Sequence, residues 1–265
     1  MQITFYGTGS CMPTPKTSGK PFRSYTGWYI EIGSDSLLFD IGGGLLHKML
    51  EDGKDILKQP THLFISHFHP DHCSDIVSLM QGRGVYNSNV SKLQKLFVGG
   101  PEGLEKFTDE VFNDIEKWRD FAGLEIKSLL DLHEVKNGLV GEGENWKVSA
   151  SPIEHFNGVC YRLDADDKSI VYSGDMTYDE NIAKIGKDAD IAIFECSYPD
   201  RESLKGKHLC PEDIGKLAKM GNFKKVVLTH MYPACEGRED EMAATIKNIA
   251  NCEVVVAQDF LKLEL

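Results

Sequence analysis

Three histidines and one aspartate lie within residues 66–72, where the sequence reads Ser-His-Phe-His-Pro-Asp-His. Neutral imidazole nitrogens and carboxylate oxygens are ligands that Zn²⁺ binds at about 2.0–2.2 Å. His67 and His69 are two positions apart, so they project to the same side of an extended segment. Asp71 and His72 follow where a helix would begin, and they can face a second ion. This spacing is far more restrictive than a lone histidine, and it predicts a metal site.

Other side chains that bind metals follow β-rich apolar segments in the second half of the chain. His155 ends the run KVSASPIEH, Asp175 ends SIVYSGD and His230 ends KKVVLTH. Each of them alone would be an ordinary turn residue. Together with the 66–72 segment, they give seven candidate ligands. That number is enough for two ions that share one carboxylate.

Short apolar runs and turn residues predict an α/β chain. The segments are β-rich, then helical, then β-rich, then helical, which indicates two sheets packed on each other with helices outside. The predicted strands are 2–6, 27–32, 37–40, 61–66, 96–98, 146–153, 159–163, 169–173, 191–195, 226–229 and 254–257, and the predicted helices begin at 74 and cover 102–121, 211–220 and 241–250.

Length and composition limit the class of protein. The chain has 265 residues, of which 41% are hydrophobic and 26% are charged, as in ordinary globular proteins. We find no repeat or linker, which favours a single domain over residues 1–265. The net charge of −12 argues against charge-driven binding to nucleic acid or acidic membranes. No apolar run approaches the roughly 18 residues of a membrane span, no signal peptide is recognisable, and the seven cysteines form no CxxC motif, so a cytoplasmic location is expected.

These motifs resemble those of the metallo-β-lactamase superfamily, and the resemblance covers nearly the whole chain. It is carried by Asp40 in LLFDIGGG, by residues 66–72, by His155, by Asp175 in YSGD and by His230 in LTH. The resemblance implies a four-layer αββα sandwich. It also implies that His67, His69 and His155 hold one metal and that Asp71, His72 and His230 hold the second. Asp175 would bridge both metals, and Asp40 would support the loops that carry the ligands.

Two positions narrow the metal chemistry that the resemblance implies. Asp175 stands where some lactamases use a cysteine ligand, and His69 stands where redox-active relatives carry glutamate. The aspartate argues against the cysteine-ligand lactamases, and the histidine argues against the redox branch, so two Zn²⁺ ions are expected rather than iron. Zinc has no redox chemistry, which points to hydrolysis. Manganese or iron stays open, because ligand type does not fully decide the metal.

A further acid and a further histidine precede His230. In the ribonuclease Z and phosphodiesterase branches, residues similar to Glu195 and His208 occupy these positions. The resemblance implies that Glu195 orients His208, and that His208 assists the leaving group or binds phosphate. Asp71 would also orient the attacking hydroxide. The predicted catalytic residues are therefore Asp71, Glu195 and His208.

The substrate class is less sharply defined. The segments FYGTGS, LFDIGGG and VGGPEGLEKF resemble the ribonuclease Z side of the superfamily, whose members carry a long tRNA-clamping arm between the third-motif histidine and the bridging aspartate. Here His155 and Asp175 are only 20 residues apart. We therefore expect a dinuclear zinc phosphodiesterase that acts on a small phosphodiester, cyclic ones included, through a metal-bridging hydroxide.

Several alternatives to this expectation stay open. A ribonuclease Z-like RNA endonuclease is the first, although the acidic charge does not favour a nucleic-acid partner. An arylsulfatase, lactonase or thioesterase on the same fold is the second, and a non-catalytic binding module is the third. No membrane partner is expected, and a homodimer is left open.

Overall fold

The computed structural model describes residues 1–12, 22–112 and 126–265. The first of its two large sheets is antiparallel on one side and parallel on the other. Because the last four strands are parallel, their carboxyl ends meet at one edge of the sheet. From edge to edge, the strands are β14 (Lys262–Glu264), β1 (Gln2–Gly7), β2 (Gly27–Ile32), β3 (Asp35–Phe39), β4 (His62–Phe64), β5 (Leu96–Pro101) and β6 (Leu130–Val135).

The second sheet also has seven strands and mixed pairing. The first four strands in the order below are parallel, so their carboxyl ends share an edge as well. From edge to edge, the strands are β13 (Glu253–Val256), β12 (Lys225–Thr229), β11 (Ile191–Glu195), β10 (Lys168–Tyr172), β9 (Val159–Ala165), β8 (Trp146–Pro152) and β7 (Gly138–Glu142).

Helices cover the outer face of each sheet. Apolar side chains of three helices from the first half of the chain pack on the first sheet, and those of three helices from the second half pack on the second. No helix in the described ranges is both long and apolar enough to span a membrane. The helices are α1 (Leu45–Glu51), α2 (Pro70–Cys73), α3 (Ile76–Asn89), α4 (Leu104–Phe112), α5 (Asn181–Ile185), α6 (Pro211–Gly221) and α7 (Glu239–Ala250).

The main core lies between the two sheets. Alternate residues of a strand point to opposite faces, so Trp28 and Ile30 of β2 face the second sheet while Tyr29 faces the helices. The Trp28 ring stacks on Phe39 of β3 with centroids 4.1 Å apart, and Tyr161 of β9 meets Phe39 from the other sheet. The order of layers is therefore helix, sheet, sheet, helix, which confirms the predicted αββα sandwich.

Most predicted elements are present with small shifts of their ends. The predicted helix over 102–121 begins at Leu104 and is described to Phe112, and residues 113–121 lie outside the described residues. Among the described residues, three strands and two short helices were not predicted: β6, β7, β14, α1 and α5. The missed strand β6 mixes buried and exposed positions without strict alternation, and β14 is an edge strand of three residues. Such strands have weak hydrophobic patterns because they bury only part of their side chains.

Candidate metal centre and catalytic site

Strand ends of both sheets bring the predicted ligands into one cluster. His67 follows β4 by three residues, Asp175 follows β10 by three, and His230 comes directly after β12. His155 lies in the loop between β8 and β9. Six of the seven candidates are buried and His69 is half-buried; the six are His67, Asp71, His72, His155, Asp175 and His230.

The local sequence shapes the 66–72 turn. Pro70 is the first residue of the short helix α2, a position where the fixed φ of proline suits helix entry and no backbone donor is lost. His69, in extended conformation, precedes it, and Asp71 and His72 lie inside the helix. The change from extended chain to helix therefore separates His67 and His69 from Asp71 and His72.

Three histidines form what we call the first ligand set: His67, His69 and His155. Together with Asp175, they offer ligand atoms that all lie within 4.8 Å of one another. Burial lowers the pKa of His67 and His69 below the usual value, and that of His155 to about 4. All three imidazoles are therefore neutral at physiological pH, which is the form that binds metals.

Asp71, His72 and His230 form the second ligand set, and their ligand atoms also lie within 4.8 Å of one another. His230 Nε2 is 3.2 Å from Asp71 Oδ2, and His72 Nε2 is 3.8 Å from the same oxygen. The backbone of His230 has φ 56°, in the left-handed region that residues other than glycine adopt only uncommonly. Such strain is found at functional sites, where surrounding structure enforces it.

Asp175 lies between the two sets. Its Oδ1 is 3.2 Å from Nε2 of both His72 and His230, and its Oδ2 is 3.9 Å from His67 Nε2. Gly174 allows this approach, because a Cβ there would lie 2.7 Å from the Ser66 Cβ. Each carboxylate oxygen thus faces a different ligand set.

The donor atoms fit divalent metal ions. The Nε2 atoms of His67, His72 and His155 and Oδ1 of Asp175 are buried and make no hydrogen bond. Orphaned polar atoms in a protein interior are costly and need an explanation. Ligands at 2.0–2.2 Å around one tetrahedral ion lie about 3.3 Å apart, close to the 3.2 Å from Asp175 Oδ1 to His72 and His230. The cluster therefore has the chemistry and the spacing of a metal centre.

Asp40 lies behind the ligands and ties the two sheets together. It is fully buried and accepts hydrogen bonds from the Ser66 backbone (2.7 Å), the Ser66 hydroxyl (2.8 Å) and the Tyr172 hydroxyl of the second sheet (2.6 Å). His72 Nδ1 lies 2.7 Å from its Oδ2. A carboxylate behind a ligating histidine fixes the ring and leaves Nε2 free for the metal.

Glu195 and His208 form a hydrogen-bonded pair beside the second ligand set. His208 Nδ1 is 3.1 Å from Glu195 Oε1, and it is 4.0 Å from Asp175 Oδ2. Burial alone would lower the pKa of His208, but the hydrogen bond and charge of Glu195 outweigh it and raise the pKa to about 9. Ser197 donates to Glu195 Oε2 at 2.7 Å and lies 3.1 Å from His230 Nδ1. His208 also joins Asp175 and His230 in a third group of converging ligand atoms.

The sequence analysis assigned no role to four residues at the site: Ser66, Tyr172, Ser197 and Tyr232. The Tyr232 hydroxyl lies 3.0 Å from His208 Nε2. Tyr232 is two residues after His230, and Ser197 is two residues after Glu195. That proximity to predicted site residues was the available signal, although it does not reveal which side chains turn towards the centre.

Residues 37–231 match a family model described as a β-lactamase superfamily domain. Among curated proteins, the chain is 25% identical to a ribonuclease Z of Methanosarcina acetivorans, and the alignment covers 100% of this chain and 98% of the relative. Among solved structures, the metallo-β-lactamase fold protein YhfI from Bacillus subtilis has a TM-score of 0.78 and 21% identity, with 100% of this chain and 99% of that chain covered. The short form of human tRNase Z has a TM-score of 0.75 and 20% identity, with the same coverage. Both structures share the fold.

Proposed function

The chain belongs to the β-lactamase superfamily, and on that premise we propose that it is a dinuclear, zinc-dependent phosphodiesterase whose substrate is RNA. The observation that carries the hydrolase is the cluster of buried, unpartnered ligand atoms around Asp175. An interior of this kind, made of neutral histidines and carboxylates, gains from binding divalent cations and is otherwise expensive to bury.

In this proposal, the first ligand set would hold one zinc ion, the second would hold the other, and Asp175 would be shared between them. Bound divalent ions supply Lewis acidity and lower the pKa of a bound water, which is what phosphodiester hydrolysis requires. The chain orients the ligands through their Nδ1 atoms. His155 Nδ1 donates to the Lys207 carbonyl at 3.1 Å, and His72 Nδ1 faces Asp40. The free Nε2 atoms therefore face the centre.

His208 is the residue that supplies a proton to the leaving oxygen in this proposal. Its Nδ1 is fixed by Glu195, which also accepts hydrogen bonds from the backbone of Ser197 and Leu209, both at 3.1 Å. Glu195 is therefore held in place, and its hydrogen bond and charge raise the pKa of His208, which favours the protonated imidazole. The proton available for transfer is the one on Nε2. Asp71, with Oδ2 3.2 Å from His230 Nε2, is placed to orient the attacking water.

The relatives favour RNA over the small cyclic phosphodiester that we expected from the sequence. The relative from Methanosarcina acetivorans is named ribonuclease Z and aligns from end to end. That alignment runs over 318 positions, whereas this chain has 265 residues, so dozens of positions of the relative have no counterpart here. The proposed phosphodiester chemistry is the same for RNA and for a small cyclic phosphodiester.

A small phosphodiester is the second candidate substrate, and one observation favours it. Between His155 and Asp175 the chain forms only the hairpin of β9 and β10, with Asp166 and Asp167 in its turn. This hairpin leaves no segment that could clamp a folded RNA away from the site. The net charge of −12 also weakens long-range attraction of RNA.

The two candidates are separated by one set of rate measurements. We would load the protein with zinc and measure kcat/KM for a precursor tRNA with a 3′ trailer, for uridine 2′,3′-cyclic phosphate and for bis(p-nitrophenyl) phosphate. We expect the RNA to be cleaved with the highest kcat/KM. The variant Asp175→Asn, purified in the same way, should lack this activity, which would exclude a contaminating ribonuclease. A higher value for the cyclic nucleotide would promote the second candidate. No hydrolysis of any diester at full zinc content would contradict the phosphodiesterase.

A further inference from the structure

An exposed aromatic ring lies beside the first ligand set. Phe156 follows His155 directly, and 65% of its surface is accessible to solvent. Its ring centroid lies 5.0 Å from that of His155 and 5.1 Å from that of His69. A large apolar side chain at the edge of a buried polar cluster adds nothing to the main core. Its position instead makes it accessible to a molecule that approaches the ligands.

The backbone that carries this ring has an unfavourable conformation. Phe156 has φ 35° and Asn157 has φ 66°, so two consecutive residues adopt left-handed conformations. Asparagine tolerates this region, but a bulky aromatic residue is rarely found there. The turn is fixed by Asn157 Nδ2, which donates to the Glu102 carbonyl at 2.6 Å, and by Gly158 N, which donates to the His155 carbonyl at 2.5 Å. Strain of this kind occurs at ligand-binding sites, where the surrounding structure maintains it.

Lys207 adds a positive charge to the same surface. Its Nζ lies 5.2 Å from the centroid of the Phe156 ring. Its backbone carbonyl accepts the hydrogen bond from His155 Nδ1, so the residue is anchored to a candidate ligand while its side chain is exposed. Within the described part of the chain, no carboxylate forms an ion pair with Lys207. A flexible ammonium group of this type binds phosphate oxygens as a point charge.

We infer that Phe156 and Lys207 form a nucleotide subsite at the mouth of the metal centre. The base of the nucleotide next to the scissile phosphate stacks on the Phe156 ring, and Lys207 pairs with a phosphate oxygen of that nucleotide. This inference rests on the proposed function in that it places the scissile phosphate at the ligand cluster. Stacking on an aromatic ring accepts any base, because every base has a π-face. The subsite therefore selects single-stranded nucleotides without selecting a sequence.

The alternative is that Phe156 only shields His69 and His155 from water. Two substrates distinguish base stacking from shielding, because methyl p-nitrophenyl phosphate has no base and thymidine 5′-(p-nitrophenyl phosphate) has one. We expect Phe156→Ala to lower kcat/KM for the thymidine diester by roughly 5- to 150-fold, the equivalent of ~1–3 kcal/mol of base stacking. The methyl diester should change less than about twofold, and Phe156→Trp should retain the activity on both.

Controls and a binding measurement complete the test. Leu139→Ala removes another exposed apolar side chain, from β7, and Lys147→Gln removes an exposed lysine from β8, so both should behave as wild type. Lys207→Gln should weaken binding of uridine 5′-monophosphate and flatten its dependence on salt. Equal losses of activity on both diesters in Phe156→Ala, or a loss of metal, would overturn the subsite and support simple shielding.

Calorimetry with uridine 5′-monophosphate distinguishes a failure of the subsite from a failure of the proposed function. If the wild-type protein hydrolyses neither diester but binds the nucleotide, and Phe156→Ala abolishes that binding, the subsite stands and the proposed function falls. If hydrolysis proceeds and nucleotide binding is the same in Phe156→Ala as in wild type, the subsite falls and the proposed function stands.

Discussion

The two ligand sets use similar residues, but the protein holds them differently. In the first set, His67 Nδ1 meets the Ser66 hydroxyl at 3.1 Å, and His155 Nδ1 donates to the Lys207 carbonyl at 3.1 Å. The His69 imidazole makes no hydrogen bond with the described residues. In the second set, His72 is backed by the Asp40 carboxylate at 2.7 Å, and His230 contacts both Ser197 and Asp71. The second set also contains a carboxylate of its own, whereas the first contains only histidines.

This difference predicts an order of metal affinity. A carboxylate behind a histidine raises the basicity of the ligand and fixes its orientation. Negative charge within the set adds Coulomb attraction for a cation. The second set therefore should bind its ion more tightly. The first set includes the half-buried His69 and borders the exposed Phe156, so its ion should exchange first.

The largest effect is expected at Asp175, because it belongs to both sets. Asp175→Asn replaces a carboxylate that faces both sets by a neutral amide, whose nitrogen cannot bind a metal. We expect the zinc content to fall below two ions per chain and kcat to fall by more than about 10³-fold, since metal ions contribute several kcal/mol to the stabilisation of transition-state charge. Elemental analysis and initial rates measure the two quantities.

The control for this variant is Asp166→Asn, which changes an exposed carboxylate in the β9–β10 turn. Asparagine tolerates the positive φ of 49° at that position. Asp175→Asn could instead lose one ion and keep the other in full. If a chelator then removes the remaining ion at the wild-type rate, Asp175 serves only one set.

His208 should affect the rate without affecting either metal. If it donates a proton to the leaving oxygen, His208→Ala should lower kcat by roughly 10²–10⁴-fold on a substrate with a poor leaving group. The loss should shrink with a p-nitrophenolate leaving group, which needs no proton. His47→Ala, an exposed histidine of α1, is the matched control.

The same variant tests whether His208 belongs to the second ligand set. Its ligand atom converges with those of Asp175 and His230. A lower zinc content in His208→Ala would make His208 a ligand or a structural support. Full metal content with full activity on poor leaving groups would leave it without a catalytic role.

The two sets also differ in how far the sequence could reveal them. His67, His69, Asp71 and His72 lie within one turn, so their spacing alone indicates a metal site. His155, Asp175 and His230 come from distant strand ends, and their positions after β-rich runs made them candidates. Only the resemblance to a known family divided the seven residues between two metals. The fold followed from the alternation of β-rich and helical segments, whereas β6 and β14 escaped because edge strands bury few side chains.

Residues that position the site were hardest to predict. Tyr172 ends an ordinary apolar strand, and nothing in the sequence shows that its hydroxyl crosses to Asp40 in the other sheet. Likewise, the contact of Tyr232 with His208 depends on the loop after β12. Contacts between sheets depend on how the layers pack, and hydrophobic periodicity carries no information about that packing.

Asp40→Asn should weaken the second set more than the first. The amide has one acceptor oxygen instead of two, so one of the buried donors of Ser66, Tyr172 and His72 loses its partner. We expect the affinity of the more tightly bound ion to fall by roughly 10–100-fold, and the free energy of unfolding to fall by about 1–3 kcal/mol. Competition with a chelator and denaturant unfolding measure these changes.

Tyr172→Phe is the matched control for Asp40→Asn. It removes the hydrogen bond between the sheets but leaves the carboxylate behind His72. Stability should therefore fall by about 1 kcal/mol, while both metal affinities stay near the wild-type values. Equal weakening of both ions by Asp40→Asn would erase the proposed difference between the two sets.

The smallest effect is expected at Tyr232, whose hydroxyl lies where His208 Nε2 would meet a leaving oxygen. It is 3.0 Å from that nitrogen and 3.6 Å from Cys11 Sγ. Glu195 already fixes His208 through Nδ1, so the ring keeps its orientation without Tyr232. Tyr232→Phe should therefore free the proton donor and raise kcat on poor leaving groups by roughly 2- to 10-fold, the equivalent of one net hydrogen bond. Tyr198→Phe, whose ring is 5.2 Å from that of Tyr232, is the control. A several-fold decrease in kcat confined to Tyr232→Phe would show instead that Tyr232 orients His208. The His208 ring, beside the second set, would then be held at both nitrogens, by Glu195 at Nδ1 and by Tyr232 at Nε2.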